Sequence, residues 1–171
     1  VHNYKSLFLL SFPMLFSAAF IFISNWTDVF MLGAMVSKTD VGIYNAAYKV
    51  ASIGLIVITS INTILAPKIS TLYSLNKLEL IEVEVQKATK IITLLTIPLV
   101  LIIVLFSNQI LSIFGPEFIQ GKTVLIIVAI GLLFNALSGS VGQVLNMTKH
   151  QNELKRFTII SVVVNIVLNY I

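Results

Sequence analysis

LFLLSFPMLFSAAFIFISNWTDVFMLGAMV, residues 7–36, decides the class of fold. Its length and apolar character are typical of a helix that crosses a bilayer core of about 30 Å. Asp28 is the one charged residue in this stretch. A carboxylate deep in a bilayer costs roughly 2.5–3.5 kcal/mol on insertion scales, so such a residue usually faces a bundle interior or an aqueous cavity. The stretch therefore predicts a membrane helix that carries a candidate pathway residue.

The composition extends this interpretation to the whole chain. Hydrophobic residues make up 57% and charged residues only 11% of the 171 residues, whereas soluble domains have about 25% charged residues. Further apolar stretches predict spans at about 41–66, 91–114, 123–147 and 157–171. We therefore predict an all-α fold, a polytopic membrane helical bundle with five transmembrane helices, the last one truncated. We also expect the chain to be an internal piece of a larger protein, because it begins without Met just before one span and ends inside another.

Lysine and arginine are distributed unequally among the predicted loops. Eight of the eleven lie before the first span, between the second and third, or between the fourth and fifth. The positive-inside rule then places these segments, including the N-terminus, in the cytoplasm. Residues 68–90 are predicted to be a cytoplasmic loop and a surface helix, although the alternating start of LELIEVEV (78–85) also fits a strand. Anionic lipid headgroups account for the net charge of +4, so we expect no nucleic-acid partner.

Polar side chains recur at helical spacing along three predicted spans. Such a stripe can line a water-filled cavity, or it can let membrane helices pack closely, with each hydrogen bond contributing roughly 0.6 kcal/mol. Asp28 could also lie hydrated near the outer end of a tilted span, and Lys49 could snorkel to the outer interface. The first span carries Ser17, Ser24, Asn25 and Asp28; the second carries Asn45, Tyr48, Lys49, Ser52, Thr59, Asn62 and Thr63; the fourth carries Asn135, Ser138, Gly139, Gly142, Gln143 and Asn146.

Prolines mark three candidate hinges or kinks, at Pro13, Pro67 and Pro98, and we expect Pro67 to end its helix. The pattern contains no catalytic constellation. The two histidines, His2 and His150, lack metal-ligand spacing, and the chain has no cysteine. We therefore expect no enzymatic activity, no cofactor and no metal site.

Four strings of residues make the chain recognisable as similar to a known family. They are SFP (11–13), NWTDVFMLG (25–33), VGIYNAAYK (41–49) and INTILAPKIS (61–70). With these strings the chain resembles the polysaccharide biosynthesis (oligosaccharide-repeat-unit) flippases of the multidrug/oligosaccharidyl-lipid/polysaccharide exporter superfamily. The resemblance is most specific over residues 11–75 and looser from there to residue 171.

The resemblance implies an architecture and a function. Members of this family have two bundles of six helices around a cavity that opens alternately to each side. The chain would cover most of the second bundle and lack the N-terminal one. The resemblance implies a flippase that moves a lipid-linked oligosaccharide, such as an O-antigen-type polysaccharide repeat unit, from the cytoplasmic to the outer leaflet of a bacterial or archaeal cell membrane. Its partners would be the lipid bilayer, the N-terminal bundle, glycosyltransferases and a polymerase.

The resemblance also gives the polar stripes a role, because the first two helices of each bundle line the cavity in similar flippases. Lys49 could pair with the lipid diphosphate, the amides and Tyr48 could bond sugar hydroxyls, and Asp28 could pair with Lys49 or titrate during ion coupling. The chain departs from the family, whose cavities often use several arginines, because its single arginine, Arg156, lies in a predicted cytoplasmic loop. The candidate pathway residues are Ser24, Asn25, Asp28, Asn45, Tyr48, Lys49 and Asn62.

Two other functions fit the same sequence. One is a cation-coupled multidrug exporter of the same superfamily, and the other is a non-transporting membrane partner in a polysaccharide synthesis complex. Transport assays with a lipid-linked sugar and with cationic dyes distinguish a flippase, which moves the sugar, from a multidrug exporter, which moves the dyes.

Overall fold

Apolar runs of helical length fold the chain into a series of α-helices. The computed structural model describes residues 11–12, 15–16, 18–19, 22, 31–34 and 37–170, and no β-strand occurs among them. The described residues before position 35 are helical. The prediction of an all-α fold is therefore confirmed. The elements from Ser37 onward are α1 (Lys38–Ser52), α2 (Leu55–Ser74), α3 (Leu78–Leu105), α4 (Ser107–Ser112), a 3-10 helix (Pro116–Gly121), α5 (Lys122–Ser138), α6 (Val141–Met147) and α7 (Gln151–Tyr170).

Three helical segments of the described chain are long and apolar enough to cross a membrane: Leu55–Ser74, Leu78–Leu105 and Pro116–Ser138. The first predicted span lies mostly outside the described residues. α7 contains the predicted fifth span. The first turns of this helix carry charged residues, and its uncharged part begins at Phe157. The chain is thus a multi-pass membrane segment, and a count of five spans in a two-bundle protein stays a prediction.

The charged segment after residue 77 is the beginning of α3. The helix starts at Leu78 and continues without interruption to Leu105, through Pro98. The strand alternative for residues 78–85 is therefore wrong, and the helical interpretation is correct. Glu84 and Lys87 at a spacing of three, and Glu82 and Gln86 at a spacing of four, support a helix better than a strand here, because each pair lies on one helix face.

Three predicted spans are interrupted in the structure. The predicted third span is divided between α3 and α4 at Phe106. The predicted second span is divided between α1 and α2, because the chain tightens at Ile53 and Gly54 into successive i to i−3 hydrogen bonds. The predicted fourth span is divided between α5 and α6 at Gly139 and Ser140. Each polar stripe assigned to one of these spans is therefore shared between two helices.

Pro67 does not end its helix, contrary to expectation, because α2 continues through it to Ser74. The proline removes one backbone donor, but every later residue of α2 can still donate to the preceding turn. α2 ends instead at Ser74. Asn76, two residues later, has a φ of 56°, a left-handed conformation that asparagine tolerates just after a helix end. Whether Pro67 and Pro98 act as hinges stays a prediction, and Pro13 lies outside the described residues.

The core forms where α5 packs against α1 and α3, and α2 also packs against α3. Small residues let these helices approach closely, as membrane helices require. Gly54 is buried at the α1–α2 break, and a Cβ atom there would overlap the Cδ2 atom of Leu132 on α5. The core residues are Ala47, Val50, Ala51, Ile58, Ile92, Val100, Ile103, Leu111, Leu125, Ala129, Leu132 and Ala136.

The chain divides into two units, Ser37–Val144 and Val1–Val36 with Leu145–Ile171. The candidate site described below lies in the first of these units. In the second, the start of α7 is bonded to the end of α6, where Gln151 Nε2 donates to the backbone oxygen of Asn146 at 2.9 Å.

Candidate functional site

α1 carries three of the predicted pathway residues, and its start is fixed by a cap. Ser37 Oγ accepts from the backbone N–H of Asp40 at 3.2 Å and donates to the Asp40 carboxylate at 2.7 Å. This arrangement satisfies a backbone donor that the first turn of a helix leaves free. The cap therefore sets the position at which the later turns of α1 present their polar side chains.

Asn45 and Tyr48 are half-buried on α1, and Lys49 beside them is exposed. The ring of Tyr48 stacks on that of Tyr44, with centroids 6.1 Å apart and planes 18° from parallel. Aromatic pairs of this kind contribute about 0.5–1.5 kcal/mol beyond the burial of their surface. The structure thus places an amide, a phenol and an amine within two turns of one helix.

Lys49 lies in the last turn of α1, where a cation interacts favourably with the helix dipole. No ion pair to Lys49 occurs within the part of the chain that the structure describes. Its ammonium group can therefore meet an anion there. Ser24, Asn25 and Asp28 lie outside the described residues, so a Lys49–Asp28 pair stays a prediction.

Asn62 meets a polar group on another element. Its side-chain oxygen accepts from Ser140 Oγ at 2.5 Å, which joins α2 to the break between α5 and α6. Ser140 is only 3% exposed. A hydroxyl buried in an apolar bundle requires such a partner, because leaving it unpaired costs free energy.

The same break contains two threonines of α3. Thr93 Oγ1 donates to the backbone oxygen of Ala136, in the last turn of α5, at 3.4 Å. Thr89 lies against Gly139, where an added Cβ atom would be 2.7 Å from Thr89 Oγ1. Two helices and the break itself thus contribute polar side chains at the point where α5 ends, and we call Asn62, Thr89, Thr93, Gly139 and Ser140 the polar junction.

The polar junction differs from the stripe predicted for the fourth span. Ser138 and Gly142 are exposed, and Ser138 Oγ donates to the carbonyl of its own helix at Phe134. The apolar pattern predicts one continuous helix in this region, and Ser140 is not among the predicted polar residues. The Ser-Gly-Ser string at 138–140 was the signal that could have found it, because such strings are typical of turns.

A second polar feature lies where α2 and α3 form a hairpin. Lys68 Nζ lies 2.5 Å from Glu84 Oε2, and Lys87 Nζ lies 3.5 Å from Glu84 Oε1. The pairing follows from the short connection, because Lys68 and Glu84 are both eight residues from Asn76. Below this cluster the two helices enclose a groove of about 280 Å³, which we call the hairpin groove; it is lined by Ile61, Ile64, Leu65, Lys68, Glu84, Lys87, Ala88 and Ile91.

The described residues contain no group of three His, Cys, Asp or Glu side chains that could hold a metal ion. The polar junction offers hydroxyl, amide and carbonyl groups, and the end of α1 offers a phenol and an ammonium group. These groups can hydrogen-bond a polar molecule and pair with an anion.

Comparison with known proteins places the chain in a family of membrane proteins. The MatE family matches residues 13–171, which is nearly the whole chain, and the chain belongs to this family. The resemblance stated from the sequence motifs is thereby confirmed. No solved structure matches the chain.

Curated relatives carry names that refer to glycan or polysaccharide synthesis. The chain is 31% identical over 170 residues to the "Probable low-salt glycan biosynthesis flippase Agl15" of Haloferax volcanii. The aligned region covers 99% of this chain and 36% of that protein. It is 28% identical to the "Probable flippase AglR" of the same organism, covering 85% of this chain and 31% of the relative. It is also 28% identical to the "Capsular polysaccharide biosynthesis protein CapF" of Staphylococcus aureus, covering 81% of this chain and 35% of the relative. The chain thus spans about a third of the length of these relatives.

Proposed function

We propose that the chain is part of a flippase for glycan or polysaccharide synthesis, which moves a lipid-linked oligosaccharide between membrane leaflets. The observation that carries the proposal is the similarity over 170 residues to a protein named as a glycan biosynthesis flippase. The transfer needs no covalent chemistry, so the protein would act as a transporter and not as an enzyme. A bundle supplied by the remainder of the protein would complete the pathway.

The polar residues of α1 and α2 support this proposal on physical grounds. A saccharide head with a diphosphate loses its hydration when it enters a low-dielectric bilayer, and that loss is costly unless other groups replace the water. Asn45 and Tyr48 can bond sugar hydroxyls, and the exposed Lys49 can pair with phosphate. Asn62 would contribute to this pathway in one of two ways. It would break its hydrogen bond to Ser140 and bond the substrate instead, or it would bond the substrate while Ser140 holds it in position.

The interruption between α5 and α6 is compatible with alternating access. Transporters commonly place discontinuous helices beside the substrate, where the ends of the half-helices offer backbone groups. α5 ends beside Asn62 and Thr93, so a rearrangement at Gly139 would change polar contacts to both α2 and α3. We propose this break as a moving part of the transport cycle.

The proposed setting is a bacterial or archaeal cell membrane, with the α2–α3 connection in the cytoplasm. Glycosyltransferases that build the saccharide and a polymerase that consumes it are the proposed functional partners. Asp28 stays the candidate for ion coupling.

Reconstitution of the full-length protein tests the function directly. Proteoliposomes carrying a fluorescent lipid-linked oligosaccharide are treated with a membrane-impermeant quencher, and the rate at which inner-leaflet label becomes accessible is measured. We expect Lys49→Gln to lower this rate about tenfold or more, because a hydrogen bond to a charged group contributes roughly 1.5–3 kcal/mol.

Lys38→Gln is the matched control, since Lys38 is an exposed lysine at the other end of the same helix. Equal rates for Lys49→Gln and Lys38→Gln would remove Lys49 from the pathway. Transport of a cationic dye without transport of the lipid-linked saccharide would instead assign the protein as a multidrug exporter. Absence of both activities from a correctly folded sample would favour a non-transporting partner.

A further inference from the structure

The hairpin groove joins an apolar depression to a basic rim. Ile64 and Ile91 stand at its edge with 75% and 50% of their surface exposed, while Leu65 and Ala88 form its buried floor. Exposed isoleucines beside a concave apolar surface are costly in water but not against hydrocarbon. The lower part of the groove is therefore shaped for an acyl chain.

The rim lies at the height where both helices change from apolar to charged. On α2 no charged residue occurs from its start at Leu55 up to Lys68, and on α3 none occurs between Lys90 and the end of the helix at Leu105. Such a change marks the boundary between hydrocarbon and headgroups, because charged side chains are expelled from the hydrocarbon core. Lys68 and Lys87 therefore lie at the level of lipid phosphates.

The charges of the rim do not cancel. Two lysines share one glutamate, so the three side chains together carry one positive charge. Glu84 holds Lys68 at 2.5 Å and Lys87 only at 3.5 Å, and the side chain of Lys87 is 65% exposed. Lys87 thus has free donors for an anion, while Glu84 orients the cluster.

We propose that the hairpin groove binds an anionic phospholipid of the surrounding bilayer, with its phosphate between Lys87 and Lys68 and an acyl chain between Ile64 and Ile91. The volume of about 280 Å³ is slightly below the roughly 300–1,000 Å³ of drug-sized sites, so it accommodates part of one chain. This site is separate from the polar junction and from Lys49. The proposal does not rest on the proposed transport function.

Native mass spectrometry of the full-length protein in detergent tests the proposal, with phosphatidylglycerol and phosphatidylcholine of equal chain length as probes. We expect the wild-type protein to prefer phosphatidylglycerol. Lys87→Gln should reduce this preference about fivefold, because a lysine near a membrane surface contributes about that much to anionic lipid binding. Glu84→Gln should increase it, since the rim then carries two positive charges.

Matched variants separate the groove from general surface charge and from the fold. Lys90→Gln removes an exposed lysine of α3 that does not line the groove, and we expect it to leave the preference unchanged. Ile64→Trp should weaken binding by filling the groove, whereas Ile56→Trp, at an exposed position of α2 outside it, should not. Thermal unfolding of each variant confirms that it is folded.

Several results would overturn the proposal. Equal binding of the two lipids by the wild-type protein would exclude recognition of the headgroup charge. An equal effect of Lys87→Gln and Lys90→Gln would assign the preference to the surface as a whole. Displacement of phosphatidylglycerol by soluble glycerol 1-phosphate would identify a soluble phosphate as the ligand. No change with Ile64→Trp would show that another part of the protein covers the groove.

Discussion

At the scale of single residues, the contact between Asn62 and Ser140 links elements that are 78 positions apart in sequence. Ser140 is buried, and Asn62 is half-buried. The pair therefore holds the end of α5 against α2 through one short hydrogen bond. Such bonds between membrane helices contribute about 0.6 kcal/mol on average and at most about 1.7 kcal/mol.

A double-mutant cycle measures this pair. We expect Asn62→Ala and Ser140→Ala to show a coupling energy of about 0.6–1.7 kcal/mol in unfolding from bicelles, because each single change removes the same hydrogen bond. The cycle with Ser138→Ala serves as control, since the Ser138 hydroxyl bonds within its own helix. A coupling energy for Ser138 equal to that for Ser140 would contradict the assigned contact.

The sequence made Asn62 a candidate because it lies on a polar stripe at helical spacing. It could not identify Ser140 as the partner, because contacts between distant segments depend on how the helices pack. Tyr48 was likewise predictable as a polar side chain of the second span. Its stacking on Tyr44 was not predicted, although residues four apart on a helix are neighbours. Asp28, the strongest signal in the sequence, lies outside the described residues, and its role stays a prediction.

At the scale of elements, α5 ends at a residue that only glycine suits. Gly139 has φ 75° and ψ −168°, a backbone region that is essentially restricted to glycine and costs other residues about 1–3 kcal/mol. The approach of Thr89 adds a steric reason, because an added Cβ atom would be 2.7 Å from its hydroxyl. The break between α5 and α6 is thus fixed by both backbone geometry and packing.

Substitution at this glycine tests the break. We expect Gly139→Ala to lower the free energy of unfolding by about 1–3 kcal/mol, from backbone strain with any contribution from Thr89 added to it. Gly131→Ala is the matched control, because Gly131 lies on the same helix with open space around it and should be neutral or slightly stabilising. Measurement is by chemical unfolding in bicelles. Equal stability of the two variants would show that the break does not depend on Gly139.

The helices themselves were predictable, because apolar runs and the i, i+3 pair of Glu84 and Lys87 identify them without knowledge of packing. The positions at which these helices are interrupted were harder to predict from the sequence. The break at Gly54 depends on the close approach of Leu132, which is a tertiary contact. The break at Gly139 was indicated by its flanking serines, but a long apolar run around it favoured one continuous helix. The prediction that Pro67 ends its helix was wrong, since one missing backbone N–H does not stop a helix whose residues before and after the proline still donate theirs.

At the scale of the whole molecule, the arrangement of lysines predicts an orientation. The α2–α3 connection should face the cytoplasm, and the 3-10 helix before α5 should face outward. The 171 residues contain no cysteine. A single cysteine introduced here therefore shows on which side of the membrane it lies, once any cysteines elsewhere in the full-length protein are replaced.

Labelling of intact cells with a membrane-impermeant maleimide tests this orientation. We expect Gln120→Cys to react and Ser74→Cys to remain protected until the membrane is permeabilised; both positions are exposed. Because the two lie at opposite ends of the helix pair formed by α3 and α5, each is the control for the other. The reverse pattern would invert the topology and place the hairpin groove in the outer leaflet.

The short connection between α2 and α3 also has a consequence for biogenesis. Two adjacent antiparallel helices can leave the translocon as one hairpin, and Lys68 and Glu84 then meet as soon as that hairpin closes. Pairing reduces the cost of carrying two charges near the lipid phase during insertion. Both partners are synthesised before α5, so this pair can form without waiting for the core. The hairpin is therefore suited to be an early, self-contained step in the assembly of the protein.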